Sequence, residues 1–291
     1  MTRVGWVGLG AMGGPMAVVA AKAHTVVAYD INPEVGSRLA ASGVAAAPSI
    51  ADVATGADVL AVMVATEAQA EAALFGPGGA ALYLSPTAVV MVMGTVGPVP
   101  VRAWGERLAA LSVGLVDAPV SGGVARAASG DLLMMVSGSS SDVAAVATLR
   151  DALASRAPLV GEVPGEGQKV KLVNQLLCGV HIAAAGEALA FARALGLDAK
   201  DCWEIIRHGA AASFMLDDRG ERMLDEAFDV PRSAMDIFVK DMGLVVDAAE
   251  QAGAWVPIAA TAGELFRRGH DQGLGRKDDS AIISVLARGD S

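Results

Sequence analysis

Cysteine is almost missing from this chain. Cys178 and Cys202 are the only two in 291 residues, with no Cys-x-x-Cys pair and no Cys/His cluster. Neither a disulfide framework nor a zinc site is therefore expected, and two isolated thiols suit a reducing, cytoplasmic setting. Histidine is equally sparse. His24, His181, His208 and His270 are scattered without metal-ligand spacing, so no metal is expected. Positive charge is in deficit: 22 Lys and Arg stand against 32 Asp and Glu, a net charge of -10. That balance speaks against a nucleic-acid partner, which calls for a basic face. Charge of either sign is absent between Glu71 and Arg102, a gap long enough for a membrane span. Pro77, Gly78, Gly79, Pro86, Gly94, Gly97, Pro98 and Pro100 break that gap, so buried strand and loops are expected there and no membrane segment. No signal peptide is expected either, because MTRVGW enters a strand pattern directly.

Glycine and apolar residues are abundant, at 34 glycines and 53% hydrophobic composition. The stretch VGWVGLGAMGGPMA, residues 4–17, organises the rest. Val4, Trp6 and Val7 suit a short buried strand, and Gly8, Gly10 and Gly13 follow in G-x-G-x-x-G spacing before a helix-like run over 16–23. In that pattern the first glycine permits a tight turn. The second lets a pyrophosphate approach the backbone, and the third lets helix and strand pack closely. Leu9 and Met12 lie between them and belong to the same candidate cofactor turn. A second apolar run, Thr25–Tyr29, ends in Asp30, at the distance where a carboxylate would meet the adenosine ribose hydroxyls. The plainer alternative for Asp30 is a turn or cap residue. A carboxylate there repels a 2′-phosphate, and the nearest downstream arginine, Arg38, falls on the next helix, so the spacing favours NAD over NADP.

Taken in order, the chain reads as helix 34–42 stopped by Gly43, strand 44–46, and helix 50–55 capped by Ser49. Strand 58–64 and helix 66–74 follow, then strand 89–93 with Thr95 just after it, and helix 100–111. Strand 115–118 leads into a PVSGG loop. Strands at 132–137 and 157–160 flank one helix at 142–153. Alternation of this kind predicts a parallel α/β Rossmann-type domain over 1–162. From 169–195 onwards the pattern is helical, with helices at 201–209, 215–224, 234–252, 257–268 and 280–286. An all-α C-terminal domain over 163–291 is expected, entered through one long interdomain helix whose Ala-rich middle permits close helix contacts. A frayed polar tail is expected after 286.

Four clusters could carry chemistry. Ser121, Gly122 and Gly123 expose backbone N–H groups that would hold an anion such as a carboxylate; an ordinary turn is the competing reading. Lys171 and Asn174, one helical turn apart, share a helix face, while Lys169 points elsewhere. A desolvated Lys171 beside a cationic ring would have a lowered pKa and could act as acid or base, although spacing alone favours a solvated lysine. Lys240, mid-helix, reads as an exposed ion-pair partner. The stretch 273–281 could be a simple loop and N-cap.

Together the stretches GLGAMGGPMA, DAPVSGGVARAASG, GEGQKVKLVNQ, VKDMGLV and GLGRKDDSA resemble, in order, the motifs of the β-hydroxyacid dehydrogenase (3-hydroxyisobutyrate dehydrogenase-like) family. The resemblance implies an α/β Rossmann domain followed by a 6-phosphogluconate dehydrogenase-like helical domain that pairs subunits into a homodimer or homotetramer. It implies oxidation of a short β-hydroxyacid with NAD(P), Lys171 accepting the hydroxyl proton and Asn174 positioning the substrate. Ser121, Gly122 and Gly123 would hold the substrate's carboxylate, and Thr95 and Lys240 would line the nicotinamide side. Residues 214–218 and 232–238 are expected to meet the substrate's tail. Two departures from the pattern, Val92-Met93-Gly94-Thr95 after the fifth strand and Gln175 in place of a second asparagine, leave the acid open. The alternatives are an NADPH-dependent reductase of an aldehyde acid such as tartronate semialdehyde, and a non-catalytic nucleotide-binding scaffold. Lys171 with Asn174 argues against the scaffold, and Lys171 argues against the imine reductases that share the resemblance.

Overall fold

The computed structural model describes residues 1–286; the expected frayed tail lies outside them. The chain divides into two units, Met1–Lys171 and the residues from Leu172 onwards. In the first, β1 (Arg3–Val7), α1 (Gly13–Ala21), β2 (Thr25–Tyr29), α2 (Pro33–Leu39) and β3 (Val44–Ala46) come in succession. They are followed by α3 (Ile50–Ala54), β4 (Val59–Val62), α4 (Glu67–Phe75), β5 (Val89–Val92), α5 (Pro98–Ala109) and β6 (Gly114–Asp117). These six strands are parallel and lie in the order β3-β2-β1-β4-β5-β6, the Rossmann arrangement. The strand order reverses between β1 and β4, and the register brings Val7 level with both Tyr29 and Val62. The carboxyl ends of the central strands therefore finish together, at the edge where open α/β sheets bind ligands.

Helices on both faces explain the near-continuous apolar strands. In β4 and β5, Val59, Ala61, Val89 and Met91 pack with Trp6, Met16 and Leu149 on one face. Leu60, Val62, Val90 and Val92 pack with Leu74, Trp104 and Leu108 on the other. The charge-free stretch after Glu71 is thus the end of α4, the wholly buried β5 and the loops around it. The cap signals read from sequence are made: Ser49 accepts from Asp52 N at the head of α3, and Thr66 forms a capping box with Gln69 at the head of α4.

Beyond β6 the elements are shorter than the sequence suggests: β7 (Val120–Ser121), α6 (Gly123–Ser129), β8 (Leu132–Met134), β9 (Val136–Ser137), α7 (Ser140–Ala145), α8 (Ala147–Leu153), β10 (Ala154–Arg156) and β11 (Leu159–Gly161). The run 132–137 is not one strand. Its two halves belong to different sheets, β8 between β7 and β10, and β9 between β6 and β11. At the break, Met135 donates its N–H to Pro119 O at 3.0 Å. The PVSGG stretch is likewise half strand, and the helix at 142–153 is broken at Val146. Helix α5 begins at Pro98, two residues before the expected start. Proline is tolerated in a first turn, where its missing N–H would have no intrahelical partner.

Helix α9 (Glu166–Ala194) carries the chain from the first unit into the second, where α10 (Ala199–Ile206), α11 (Phe214–Asp225), α12 (Met235–Gln251), α13 (Pro257–Gly269) and α14 (Ile282–Leu286) follow. Leu172, Ile182, Ala185 and Leu189 of α9 enter a core with Trp203, Met223, Met242, Phe266 and Ile282. Small residues set the approach: a Cβ on Gly179 would lie 2.3 Å from Met242 Sδ. Helix α9 is long and apolar enough to cross a membrane by length and composition, and half of its most apolar window is buried inside the fold. The GLGRKDDSA stretch is more than a loop and cap. Asp279 and Asp278, both buried, pair with Arg219 and Arg222 of α11, and Asp278 also caps Ser280.

Candidate active site

The glycine turn follows β1 at the carboxyl edge. Gly8 has φ of 94°, and a Cβ there would lie 2.3 Å from Met63 O, so both conformation and space demand glycine. A Cβ on Gly13 would fall 2.1 Å from Gly8 O, so the head of α1 rests directly on the turn. Around Gly10, by contrast, nothing lies within 4 Å of the Cβ position. Two glycines close the turn and the middle one leaves the backbone bare, the shape a pyrophosphate needs at a helix N-terminus. Trp6 Nε1 donates to Gly8 O at 3.0 Å and steadies the turn from below. Leu9 sends its side chain into the core and its N–H to Asp30 Oδ2 at 2.7 Å. Met12 stands at the N-cap of α1 without a side-chain capping bond. Asp30 closes β2, and its second oxygen accepts from Asn32 N at 2.8 Å. It is therefore a turn residue whose carboxylate is held at the rim.

Thr95 lies between Gly94 and Val96 in the loop after β5. That loop is gripped by Gln168, wholly buried in the first turn of α9. Gln168 Oε1 accepts from Val96 N at 3.0 Å and Gly97 N at 3.1 Å, while its Nε2 donates to Gly94 O at 3.0 Å. The same Nε2 donates to Asp117 Oδ1 at 2.8 Å. Asp117 Oδ2 accepts from Gly165 N at 3.0 Å, Gln168 N at 2.9 Å and Ser137 Oγ at 3.3 Å. Burial pushes the Asp117 carboxyl up to about 6, against the pull of these donors. The glycines of GEGQ now have reasons. A Cβ on Gly167 would sit 2.4 Å from Met135 O and 2.9 Å from Asp117 Oδ2, and Gly165 has φ of 100°. Sequence reading singled out this stretch for Lys171 and passed over Gln168. The signal was a polar side chain inside a glycine-spaced helix start.

One turn beyond Gln168, Lys171 is buried, at 5% exposure, and not the solvated lysine that spacing favoured. Lys169 does point elsewhere, exposed and paired with Glu166 at 2.8 Å. Ser121 ends β7, and Gly122 and Gly123 follow with φ of 142° and 74° at the start of α6; space around the Gly123 Cβ position is open.

In the second unit Asn174 Nδ2 donates to Gln175 Oε1 at 2.9 Å and to Cys178 Sγ at 3.3 Å. Gln175 Nε2 donates to Asp241 Oδ2, and Asp241 Oδ1 pairs with Lys240 Nζ at 2.7 Å. Lys240 is thus an ion-pair partner, the plainer of its two sequence readings, but a mostly covered one bound to a buried aspartate. This chain links Asn174 to Lys240 through Gln175, the residue that departs from the family pattern. The stretches expected to meet a substrate tail fare differently. Phe238 is core, stacked on Phe266 at 5.2 Å between centroids. Asp218 is tied to Arg219 and Arg222, and residues 214–218 are the first turn of α11, with Phe214 exposed.

Residues 3–161 match the model of the NAD binding domain of 6-phosphogluconate dehydrogenase, and residues 165–286 the NAD-binding model of NADP-dependent 3-hydroxyisobutyrate dehydrogenase. The chain is 40% identical over 285 residues to L-threonate dehydrogenase of Cupriavidus necator, covering 98% of this chain and 96% of that protein. It is 31% identical over 285 residues to 2-hydroxy-3-oxopropionate reductase of Escherichia coli, covering 98% and 97%. The crystal structure of 3-hydroxyisobutyrate dehydrogenase from Salmonella typhimurium superposes with a TM-score of 0.93 at 38% identity, covering 98% of this chain and all of that one. The chain belongs to the β-hydroxyacid dehydrogenase family, NAD(P)-dependent oxidoreductases.

Proposed function

We propose that this chain oxidises a short hydroxyacid with NAD, Lys171 taking the hydroxyl proton. One observation carries the reading: a buried lysine sits one helical turn before Asn174, on a helix whose head is bonded to the carboxyl edge of a glycine-turn Rossmann sheet. Gly8, Gly10, Gly13 and Asp30 would hold the dinucleotide, with Leu9 and Met12 in the same turn and Thr95 and Lys240 on its nicotinamide side. When bound, NAD supplies the hydride acceptor. Lys171 accepts the proton as the carbonyl forms. Asn174 holds the reacting hydroxyl, and Ser121, Gly122 and Gly123 hold the carboxylate. The working division is a cofactor domain over 1–162 and a substrate and dimerisation domain over 163–291.

Among acids, L-threonate is the first candidate, since a dehydrogenase of that acid is 40% identical along nearly the whole chain. L-Threonate bears both α- and β-hydroxyls, so it falls within a short hydroxyacid site. The likeness to 2-hydroxy-3-oxopropionate reductase supports the same chemistry in reverse on an aldehyde acid. Asp30 supports NAD over NADP, because its carboxylate is fixed at the rim by two N–H donors.

A second copy of the chain is the proposed partner. Val173, Leu177 and Phe191 of α9, with Leu195 just past its end, form an exposed apolar stripe, more than an isolated surface side chain accounts for. A reducing compartment, the cytoplasm, fits two cysteines that form no disulfide.

A panel of L-threonate, 3-hydroxyisobutyrate, glycerate and tartronate semialdehyde, assayed by NADH and NADPH absorbance, tests the reading. Lys171→Ala should lower kcat by about 10³-fold on the preferred acid while NAD still binds. Near-normal kcat in that variant would remove the lysine from the chemistry.

A further inference from the structure

The carboxamide of Gln168 does more than complete a helix start. Capping the head of α9 needs only Asp117, whose Oδ2 already takes the N–H groups of Gly165 and Gln168. The side chain of Gln168 faces the other way, across to the loop after β5, and makes contact on both sides of Thr95. Its Nε2 reaches Gly94 O before Thr95, and its Oε1 takes the N–H groups of Val96 and Gly97 after it. The amide has one orientation only. Turned over, it would set a nitrogen against two N–H donors and an oxygen against Gly94 O and the Asp117 carboxylate. Every polar atom of this wholly buried side chain is thereby used, as a costly buried polar group must be.

We propose that Gln168 is a positioning residue of the reaction: its carboxamide ties the loop that presents Thr95 to the helical turn that presents Lys171, so that loop and lysine are held in one fixed relation. The inference rests on the reading of Thr95 and Lys171 given above. Asp117 serves the same tie from behind, receiving Gln168 Nε2 on one oxygen and the helix N–H groups on the other. An apolar residue of equal size would fill the space and leave three buried backbone groups without partners, freeing the loop from the helix.

The test uses Gln168→Met, which keeps volume, and Gln168→Asn, which keeps the amide but is one carbon too short to span the gap and is the milder change for folding. On the protein without cofactor, amide exchange at Val96 and Gly97 should rise about tenfold in Gln168→Met, with the Gly8–Gly13 turn unchanged. With NAD and the acid selected by the panel, kcat should fall by up to about 100-fold and NAD affinity stay nearly unchanged. With that acid deuterated at its carbinol carbons, the isotope effect on kcat should rise, more in Gln168→Met than in Gln168→Asn, because hydride transfer becomes the slow step. A purely structural role would lower Tm or the active fraction and leave the isotope effect at the wild-type value; that result overturns the inference. Unchanged exchange at Val96 and Gly97 overturns it too. Lys171→Ala is the separate control: it should leave exchange at these amides as in the wild type, so a failure of the lysine reading shows in its kcat alone.

Discussion

At the scale of single residues, function here depends on which atoms are already spoken for. Asp30 gives one oxygen to Leu9 N and the other to Asn32 N, so its charge is held at the rim and not swung away. Asp30→Ser should therefore raise the NADPH to NADH ratio of kcat/KM by about tenfold or more, by removing a like charge from the 2′-phosphate. An unchanged ratio would show that this carboxylate does not choose the cofactor. Gln175 stands between Asn174 and Asp241. Gln175→Ala should raise KM for the hydroxyacid more than it lowers kcat, since Asn174 loses an orienting partner; steady-state kinetics decide. The residues that announce themselves in the sequence are those with spacing rules, the three glycines and the Lys171–Asn174 pair. Gln168 is harder to see, and the part Gln175 plays harder to assign, because their importance comes from partners 51 to 74 positions away.

Among the elements, α9 shows how context reverses a local rule. Alanine for glycine inside a helix ordinarily stabilises by up to about 1 kcal/mol. Gly167→Ala should instead destabilise by about 1–3 kcal/mol, because the added carbon meets the Met135 carbonyl at 2.4 Å and backbone cannot step aside. A rise in Tm for this variant would contradict the packing described. The far face of the same helix carries Leu177 and Phe191 in the open. Leu177→Glu with Phe191→Glu should halve the mass measured by light scattering; a wild-type chain already of single mass would remove the proposed pairing. Long periodic helices, caps such as Ser49 and Thr66, and the central strands were readable because their causes are local. The split of 132–137 between two sheets was not. An unbroken apolar run carries no mark of the point where its hydrogen bonds change partners, and that point is set by Pro119 meeting Met135.

For the molecule as a whole, pH and charge pairing bear on stability in opposite senses. The unfolded chain loses the Asp117 proton near 4, while burial delays the loss in the fold to about 6. Over that window the folded state holds the extra proton, so stability falls as pH rises from about 4 to 6, by about 3 kcal/mol in all, and this group adds no slope above it. Urea midpoints across that range should lose this slope in Asp117→Asn. Removing Arg219 leaves buried Asp279 only the longer pair with Arg222 at 3.9 Å, and Arg219→Met should cost about 3 kcal/mol, a drop in Tm that Arg219→Met with Asp279→Leu together largely restores. The order of the motifs makes the Rossmann sheet and the helical second half legible from sequence, whereas these interior ion pairs looked like a loop and a cap. One continuous helix, Glu166–Ala194, crosses the boundary at Lys171. The crossing is consequently made of hydrogen-bonded helix: a protease finds no slack tether to nick there. A gene cut at that point would yield two fragments, each with a raw, uncapped helical stump.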